Sequence, residues 1–267
     1  MNQTPAAARK RHHALWHTAR TVWRASVGQW ARREFSVLAT LALAAVAVWG
    51  FVELADEVLE GETHAFDERL LLALRSASDP SDPLGPGWLE ELMRDVTGLG
   101  STGVLTFITL SVAGLLALDG KRHAALFVIA AVGGGMLLST LLKLGFDRPR
   151  PELVPHGALV YTASFPSGHA TVSAVVYLTL GALLARVQQR LVLKLYLLGL
   201  AILLTVAVGI SRIYLGVHWP SDVLAGWAIG AAWALLCWAV ALWLQRRGQV
   251  ESPGPDPGNA TPEPADG

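Results

Sequence analysis

The sequence predicts an all-α, polytopic membrane protein in which six transmembrane helices form one bundle. Of its 267 residues, 52% are hydrophobic and 16% are charged, whereas a soluble domain carries about 25% charged residues. The mean hydropathy is +0.42. The apolar residues are gathered into runs close to the length of a membrane span, about 17 to 25 residues. The formal net charge is zero, which offers no general basis for nucleic-acid binding.

Six apolar runs are the predicted spans. The fourth run is the shortest, but Thr171 and Ser173 near its start are tolerated in a spanning helix. Lys194 lies near the start of the fifth run, where its ammonium group can reach the membrane surface. The runs are Phe35–Leu54, Thr102–Leu118, His123–Leu142, Ala170–Ala185, Val192–Ile210 and Val223–Leu244.

The distribution of Lys and Arg predicts that both termini are cytoplasmic. With the N-terminus inside, the inner segments hold fourteen of the 21 basic residues, as the positive-inside rule requires. The seven outer ones are Arg69, Arg75, Arg94, Lys143, Arg148, Arg150 and Arg212. The predicted location is a plasma membrane, bacterial inner membrane being the expected case.

Three regions follow along the chain. Residues 1–34 form a basic arm, predicted to be either an amphipathic helix on the inner leaflet or a disordered segment. Residues 35–245 form the six-helix domain, with a signature core at 143–222. Residues 246–267 form a tail rich in Pro, Gly and acidic residues, which is predicted to be disordered. The single cysteine, Cys237, lies in an apolar run and is interpreted as an inert thiol.

An outer loop at 55–100 is predicted to contain two short helices, Asp67–Ser76 and Trp88–Val96. The second has apolar residues at helical spacing. It either rests at the membrane interface and guides a lipid, or packs on the bundle. The acidic residues of the loop are interpreted as a solvated face. They are not interpreted as a metal site.

Three polar clusters lie at the ends of the apolar runs, and the predicted topology puts all of them on the outer face. Charges at such positions need a reason. The first cluster pairs Lys143, a compact point charge, with Arg150, whose planar fork fits phosphate oxygens. Arg148 is an alternative, since either arginine could point inward. Alone, this cluster is equally typical of a headgroup boundary.

The second and third clusters contain the histidines. Pro166-Ser167-Gly168-His169 opens the fourth span, where a helix N-terminus suits an anion and a glycine allows close backbone approach. The third cluster is Ser211-Arg212, followed by His218 and Asp222, which are four residues apart and can meet in one helical turn. A carboxylate on one imidazole nitrogen leaves the other free to act as a nucleophile. Helix caps and interfacial histidines are the alternative interpretation of each cluster alone.

Together the clusters resemble the three-part signature of the type 2 phosphatidic acid phosphatase superfamily, in its membrane lipid phosphatase branch. The matching pattern is Lys143-x6-Arg150-Pro151, Pro166-Ser167-Gly168-His169 and Ser211-Arg212-x5-His218-x3-Asp222. In this alignment Arg150 takes the signature position and Arg148 is out of register. The superfamily also includes vanadium haloperoxidases and soluble acid phosphatases.

The resemblance implies catalysis without a metal or cofactor. His218 would attack phosphorus and form a phosphohistidine, oriented by Asp222. His169 would protonate the leaving oxygen and then activate water. The equatorial oxygens would be held by Lys143, Arg150, Ser167, Gly168 and Arg212. A bell-shaped pH profile is expected.

The predicted function is dephosphorylation of a lipid phosphate or diphosphate at the outer leaflet. Phosphatidate, phosphatidylglycerophosphate and undecaprenyl diphosphate are candidates, and the sequence does not choose among them. A lipid phosphotransferase with the same site and a non-catalytic lipid-phosphate binder or transporter are the alternatives. The expected partners are a lipid phosphate substrate and the bilayer, with no nucleic acid.

Overall fold

The computed structural model describes residues 34–156 and 162–246, and over these ranges the regular secondary structure is helical. The predicted all-α class is therefore confirmed. The predicted arm at 1–34 and tail at 246–267 lie outside the described residues except at their inner ends. The helices are α1 (Glu34–Glu60), α2 (His64–Leu72), α3 (Gly87–Leu99), α4 (Thr102–Leu118), α5 (Arg122–Gly145), α6 (Gly168–Val187), α7 (Leu191–Tyr214) and α8 (Pro220–Arg246).

Five of the described helices are long and apolar enough to cross a membrane, namely α1, α5, α6, α7 and α8. The predicted span Thr102–Leu118 is a helix with those bounds, but it has only 17 residues. That is the lower limit for a span, and α4 forms a longer apolar pair with α3, from which it is bent by 48°. The break falls at Gly100 and Ser101, where the Ser101 hydroxyl accepts a hydrogen bond from the Val104 amide. The chain is thus a multi-pass membrane protein with five or six spans.

Helix α6 occupies the centre of the bundle and packs against α7 and α8. Two glycines of α8 allow the close approach. A Cβ atom at Gly226 would lie 2.8 Å from the carbonyl oxygen of Ser167, and one at Gly230 would lie 2.6 Å from that of Thr171. The N-terminus of α6 is therefore held directly beside the first turns of α8.

Helix α1 lies at the edge of the bundle and exposes most of its apolar side chains, as expected of a surface that faces lipid tails. Its inner face meets the loop before α6. The ring of Phe51 stacks on that of Phe165, with centroids 5.9 Å apart. Phe165 is fully buried, so this contact ties α1 to the segment that leads into α6.

The outer loop packs on the bundle through both of its short helices. Helix α3 is the predicted Trp88–Val96 helix with wider bounds, and its Leu89 and Met93 pack on Tyr214, Leu215 and Val217. Trp88 and Leu92 on the same helix are exposed. Helix α2 begins three residues before the predicted Asp67–Ser76 helix and ends earlier, at Leu72.

The acidic residues of the outer loop behave as expected with one exception. Those near its start are exposed, namely Glu53, Asp56, Glu57, Glu60 and Glu62. Asp67 is fully buried, so the prediction of a solvated acidic face was wrong at this position. Its partners are the Arg148 guanidinium group and the amide and hydroxyl groups of Ser221.

Candidate active site

The three polar clusters meet at one end of the bundle. Helix α5 ends with the cluster that contains Lys143, and α6 begins next to it at Gly168. Helix α7 ends just after Arg212, and α8 begins just before Asp222. Gly216, with a φ of +68°, makes the tight turn between α7 and α8. Four helix ends that are distant in sequence thus contribute side chains to one site.

His218 and Asp222 form a buried pair. The Nδ1 atom of His218 lies 3.3 Å from Oδ2 of Asp222, and both side chains are almost completely shielded from solvent. The spacing of four residues brings them together, because Pro220 starts α8 between them. The pairing that the sequence predicts is therefore present in the structure.

Asp222 receives several further hydrogen bonds that hold its carboxylate in place. Its Oδ2 accepts from the Trp219 amide at 2.9 Å and from the Ser164 hydroxyl. Its Oδ1 accepts from Nη1 of Arg148 at 2.6 Å. A carboxylate with this many donors remains ionised and fixed in orientation.

Arg150 approaches His218 from the other side of the imidazole ring. Its Nη1 atom lies 3.2 Å from Nε2 of His218 and donates to the Val217 carbonyl oxygen at 2.5 Å. Its Nε donates to the carbonyl oxygen of Thr162 at 2.9 Å. A guanidinium group has only donors, so Nε2 of His218 is the acceptor and Nδ1 carries the proton toward Asp222.

Burial lowers the pKa of His218 to about 3. The Asp222 carboxylate opposes this shift, while the positive charges of Arg150 and Arg212 add to it. His218 is therefore neutral at physiological pH, and its Nε2 lone pair points toward the cationic side of the site.

Two more cations complete that side. Lys143 Nζ donates to the Ala163 carbonyl oxygen at 2.8 Å, and a Cβ atom at Gly168 would lie 3.2 Å from Lys143 Cε. Arg212 is 3% exposed, and its Nη1 donates to the Thr97 hydroxyl at 3.0 Å. The buried Nε of Arg212 has no hydrogen-bond partner among the described residues, which leaves a donor available to an anion.

The second cluster forms the N-terminus of α6. Ser167 is the N-cap, and its hydroxyl accepts from the Ala170 amide at 3.5 Å. Its own amide donates to the main-chain carbonyl oxygen of Asp222 at 3.0 Å, which joins the starts of α6 and α8. His169 follows in the first turn, within electrostatic range of Lys143 and Arg212.

The comparisons with known proteins agree with this geometry. The PAP2 superfamily model matches residues 124–246. Phosphatidylglycerophosphatase B of Bacillus subtilis is 34% identical over 146 residues, which are 54% of this chain and 70% of that relative.

The chain belongs to the PAP2 superfamily.

Other PAP2 proteins extend the comparison. An undecaprenyl-diphosphatase of Sulfolobus acidocaldarius is 36% identical over 132 residues, which cover 48% of this chain and 53% of that relative. The crystal structure of a transmembrane PAP2-type phosphatidylglycerolphosphate phosphatase from Bacillus subtilis superposes with a TM-score of 0.66 and 27% identity. The superposition covers 76% of this chain and 98% of the other. The predicted superfamily, fold and phosphatase class are confirmed, and the protein is a membrane phosphatase of this superfamily.

Two residues at this PAP2 site are missing from the predicted set of catalytic and phosphate-binding residues. Arg148, out of register with the signature, reaches both Asp222 and Asp67, and Asp67 belongs to the outer loop. The sequence left open which arginine points inward, and in the structure both do. The doubled Arg-Pro of Arg148-Pro149-Arg150-Pro151 was the available signal for Arg148. Asp67 offered none, because it is one of several acids in its loop.

Proposed function

We propose that the protein is a lipid phosphate phosphatase that works through a phosphohistidine formed on His218. The substrate class is an amphiphilic phosphate monoester or diphosphate, for which phosphatidate, phosphatidylglycerophosphate and undecaprenyl diphosphate are the candidates. The names of two relatives, a phosphatidylglycerophosphatase and an undecaprenyl-diphosphatase, support this class. A site at the ends of membrane helices suits a headgroup whose tails remain in the bilayer.

One observation carries the proposal: a neutral, buried His218 lies between a carboxylate and a guanidinium group. Asp222 faces Nδ1, and Arg150 faces Nε2. This arrangement fixes the tautomer in which Nε2 bears the lone pair. It also puts that lone pair where a phosphate held by Arg150 would present its phosphorus atom.

In the first chemical step, Nε2 of His218 attacks phosphorus and the bond to the ester oxygen breaks. His169 donates a proton to the leaving oxygen, which departs as an alcohol or a lipid monophosphate. The positive charge that develops on the imidazole ring is stabilised by Asp222. Lys143, Arg150 and Arg212 stabilise the charge on the equatorial oxygens, where fixed cations act most strongly.

In the second step, His169 removes a proton from water, and the resulting hydroxide attacks phosphorus. The bond between phosphorus and Nε2 breaks, inorganic phosphate leaves, and neutral His218 is restored. Ser167 and the Gly168 amide at the N-terminus of α6 add donors to the same oxygens. No step needs a metal ion or a cofactor.

The site is proposed to face the outside of the cell. The support is the excess of Lys and Arg in the segments that the topology assigns to the cytoplasm. Phosphate release would then occur at the outer leaflet, on lipids whose headgroups have already crossed the membrane.

The test is a phosphate-release panel on the purified full-length protein. It compares phosphatidate, phosphatidylglycerophosphate and undecaprenyl diphosphate, using wild type, His218→Ala and the matched control His123→Ala. His123 is an exposed residue at the start of α5, near the opposite end of the bundle. We expect His218→Ala to abolish release and His123→Ala to retain it.

Chemical trapping tests the intermediate separately. Brief incubation with a substrate labelled in its phosphate should label the wild-type protein, with an acid-labile and alkali-stable bond. Binding of the lipid without release of phosphate would instead indicate a lipid-phosphate binder. Release of phosphate by His218→Ala at the wild-type rate would rule out the covalent mechanism.

A further inference from the structure

A buried chain of alternating charges extends from the His218–Asp222 pair into the outer loop. Nη1 of Arg148 donates to Oδ1 of Asp222 at 2.6 Å, and Nη2 donates to Oδ2 of Asp67 at 2.7 Å. Both carboxylates are fully buried, and the Arg148 side chain is 12% exposed. One guanidinium group thus bridges two carboxylates away from water, where charge interactions are strong.

Asp67 is fixed on its other side by α8. Its Oδ1 accepts from the Ser221 amide at 2.8 Å, and its Oδ2 accepts from the Ser221 hydroxyl at 2.6 Å. Ser221 is the residue immediately before Asp222. Helix α2 is thereby attached to the first turn of α8, and the attachment is made through a charged group.

Trp219, which lies just before α8, covers this group of buried charges. The ring of His64 meets the ring of Trp219 edge to face, with centroids 5.8 Å apart. The Arg148 guanidinium carbon lies 5.7 Å from the centroid of the same indole. Trp219 in turn donates its Nε1–H to the Pro149 carbonyl oxygen at 3.0 Å. The bridge is therefore held rigidly and shielded from screening by solvent.

Charge counting shows what Asp67 adds. Arg148 orients Asp222, but its positive charge alone would cancel the negative charge that Asp222 presents to His218. With Asp67 included, the three groups carry a net charge of minus one. The imidazole ring of His218 then faces a net negative charge, while Arg148 still holds the Asp222 carboxylate in its orientation.

We propose that Asp67 is a positioning residue for catalysis: it neutralises Arg148, so that Arg148 can orient Asp222 without weakening its stabilisation of His218. The inference rests on the proposed role of His218 as nucleophile. It makes the outer loop an electrostatic part of the site, although Asp67 touches neither the substrate nor the reacting atoms.

The proposal predicts how two neutral substitutions combine. Asp67→Asn leaves Asp222 and Arg148 with no net charge, so phosphoenzyme formation and kcat should fall about tenfold to a hundredfold, the range for members of one ionic network. KM should change little, because the phosphate-binding cations are untouched. Arg148→Gln should lower kcat further, since it releases Asp222.

The decisive variant is the double substitution Asp67→Asn with Arg148→Gln. It restores the net charge of minus one, so Asp67→Asn should be harmful in the wild-type background and nearly neutral in the Arg148→Gln background, where Asp67 has no cation to neutralise. Rates are measured per mole of folded protein, with the folded fraction of each variant taken from its thermal unfolding in detergent. Glu68→Gln, which changes the exposed neighbour of Asp67 on α2, is the matched control and should resemble wild type.

The outcomes separate the inference from the proposed function. Equal loss from Asp67→Asn in both backgrounds would overturn the charge-balance role and leave a structural one. A wild-type kcat for Asp67→Asn would overturn it as well. A wild-type protein that releases phosphate but never forms a phosphoenzyme would instead overturn the mechanism on His218, whatever the Asp67 variants do.

Discussion

Nη1 of Arg150 lies 3.2 Å from Nε2 of His218, on the opposite edge of the imidazole ring from Asp222. In the free enzyme this guanidinium group occupies the direction from which a phosphate would approach. Arg150 can therefore hold Nε2 as an acceptor before the substrate arrives and donate to the phosphate afterwards. In the proposed mechanism, the same side chain would act on the nucleophile and on the phosphate.

Replacing Arg150 should affect the chemical step more than binding. Arg150→Lys keeps a positive charge but loses the fork that reaches His218, Val217 and Thr162. We expect kcat to fall by about a hundredfold to a thousandfold, as for loss of one preorganised donor. The measurement is single-turnover phosphate release. Arg94→Lys, at an exposed ion pair with Glu90, should remain near wild type, and a similar loss in both variants would contradict the prediction.

His218 should make the protein less stable in acid. Its pKa in the folded state is about 3, against an ordinary value of 6.5. Above pH 6.5 both states hold a neutral ring. As pH falls from 6.5 toward 3, His218 binds a proton in the unfolded chain but not in the folded protein. The free energy of unfolding therefore decreases over this interval.

Thermal unfolding in detergent at pH 7.5 and pH 5 measures this effect. The Tm of wild type should fall more between the two values than the Tm of His218→Asn, which has no imidazole to protonate. His123→Asn, an exposed control, should follow wild type. Parallel decreases in wild type and His218→Asn would show that burial of His218 does not contribute.

Gly100 should be intolerant of a side chain because it lies against the site. A Cβ atom there would be 2.3 Å from Cγ1 of Val208 and 3.3 Å from Cδ2 of His169. Gly100→Ala should therefore cost about 1–3 kcal/mol of stability and lower kcat by moving His169. Gly98→Ala is the control, since a Cβ atom at Gly98 meets nothing within 4 Å.

Val208→Ala combined with Gly100→Ala tests the cause. Removing the Val208 methyl groups frees the space that the added Cβ needs, so the double variant should regain part of the lost activity. If Gly98→Ala proved as damaging as Gly100→Ala, contact with Val208 and His169 would not be the reason.

Labelling of single cysteines tests the proposed orientation. In a Cys237→Ala background, Asp79→Cys in the outer loop should react in intact cells with a maleimide that cannot cross membranes. Gln189→Cys, exposed in the connection between α6 and α7, should react only after the membrane is opened. The reverse pattern would place the site on the cytoplasmic face.

The sequence predicted the helical class and the superfamily because spans and signature motifs are local patterns. Lys143, Arg150, His169 and Asp222 could be grouped from their positions at span ends alone. The break between α3 and α4 was harder to predict, since Trp88–Val96 and Thr102–Leu118 each look like separate helices. Only the structure shows that the two helices follow each other with a bend of 48° at a short break.

The bridge from Asp67 through Arg148 to Asp222 could not be predicted for a different reason. Its members are far apart in the chain, and hydrogen bonds between them depend on how α2 docks on α8. Arg212 bonding to Thr97 is a second contact of this kind. In each contact one partner, Asp67 or Thr97, belongs to the outer loop, whose acidic composition favours solvent exposure.

The helices that carry the site are synthesised in a fixed order. Lys143, His169 and Arg212 enter the membrane early, but Asp222 is carried by α8, the last of the described helices to emerge. The hydrogen bond of the Ser167 amide also requires α8, because its acceptor is the Asp222 carbonyl oxygen. In the proposed mechanism, a chain that lacks α8 would carry the phosphate-binding cations but not the carboxylate that orients His218. Pairing of His218 with Asp222 therefore requires α8 to be in place.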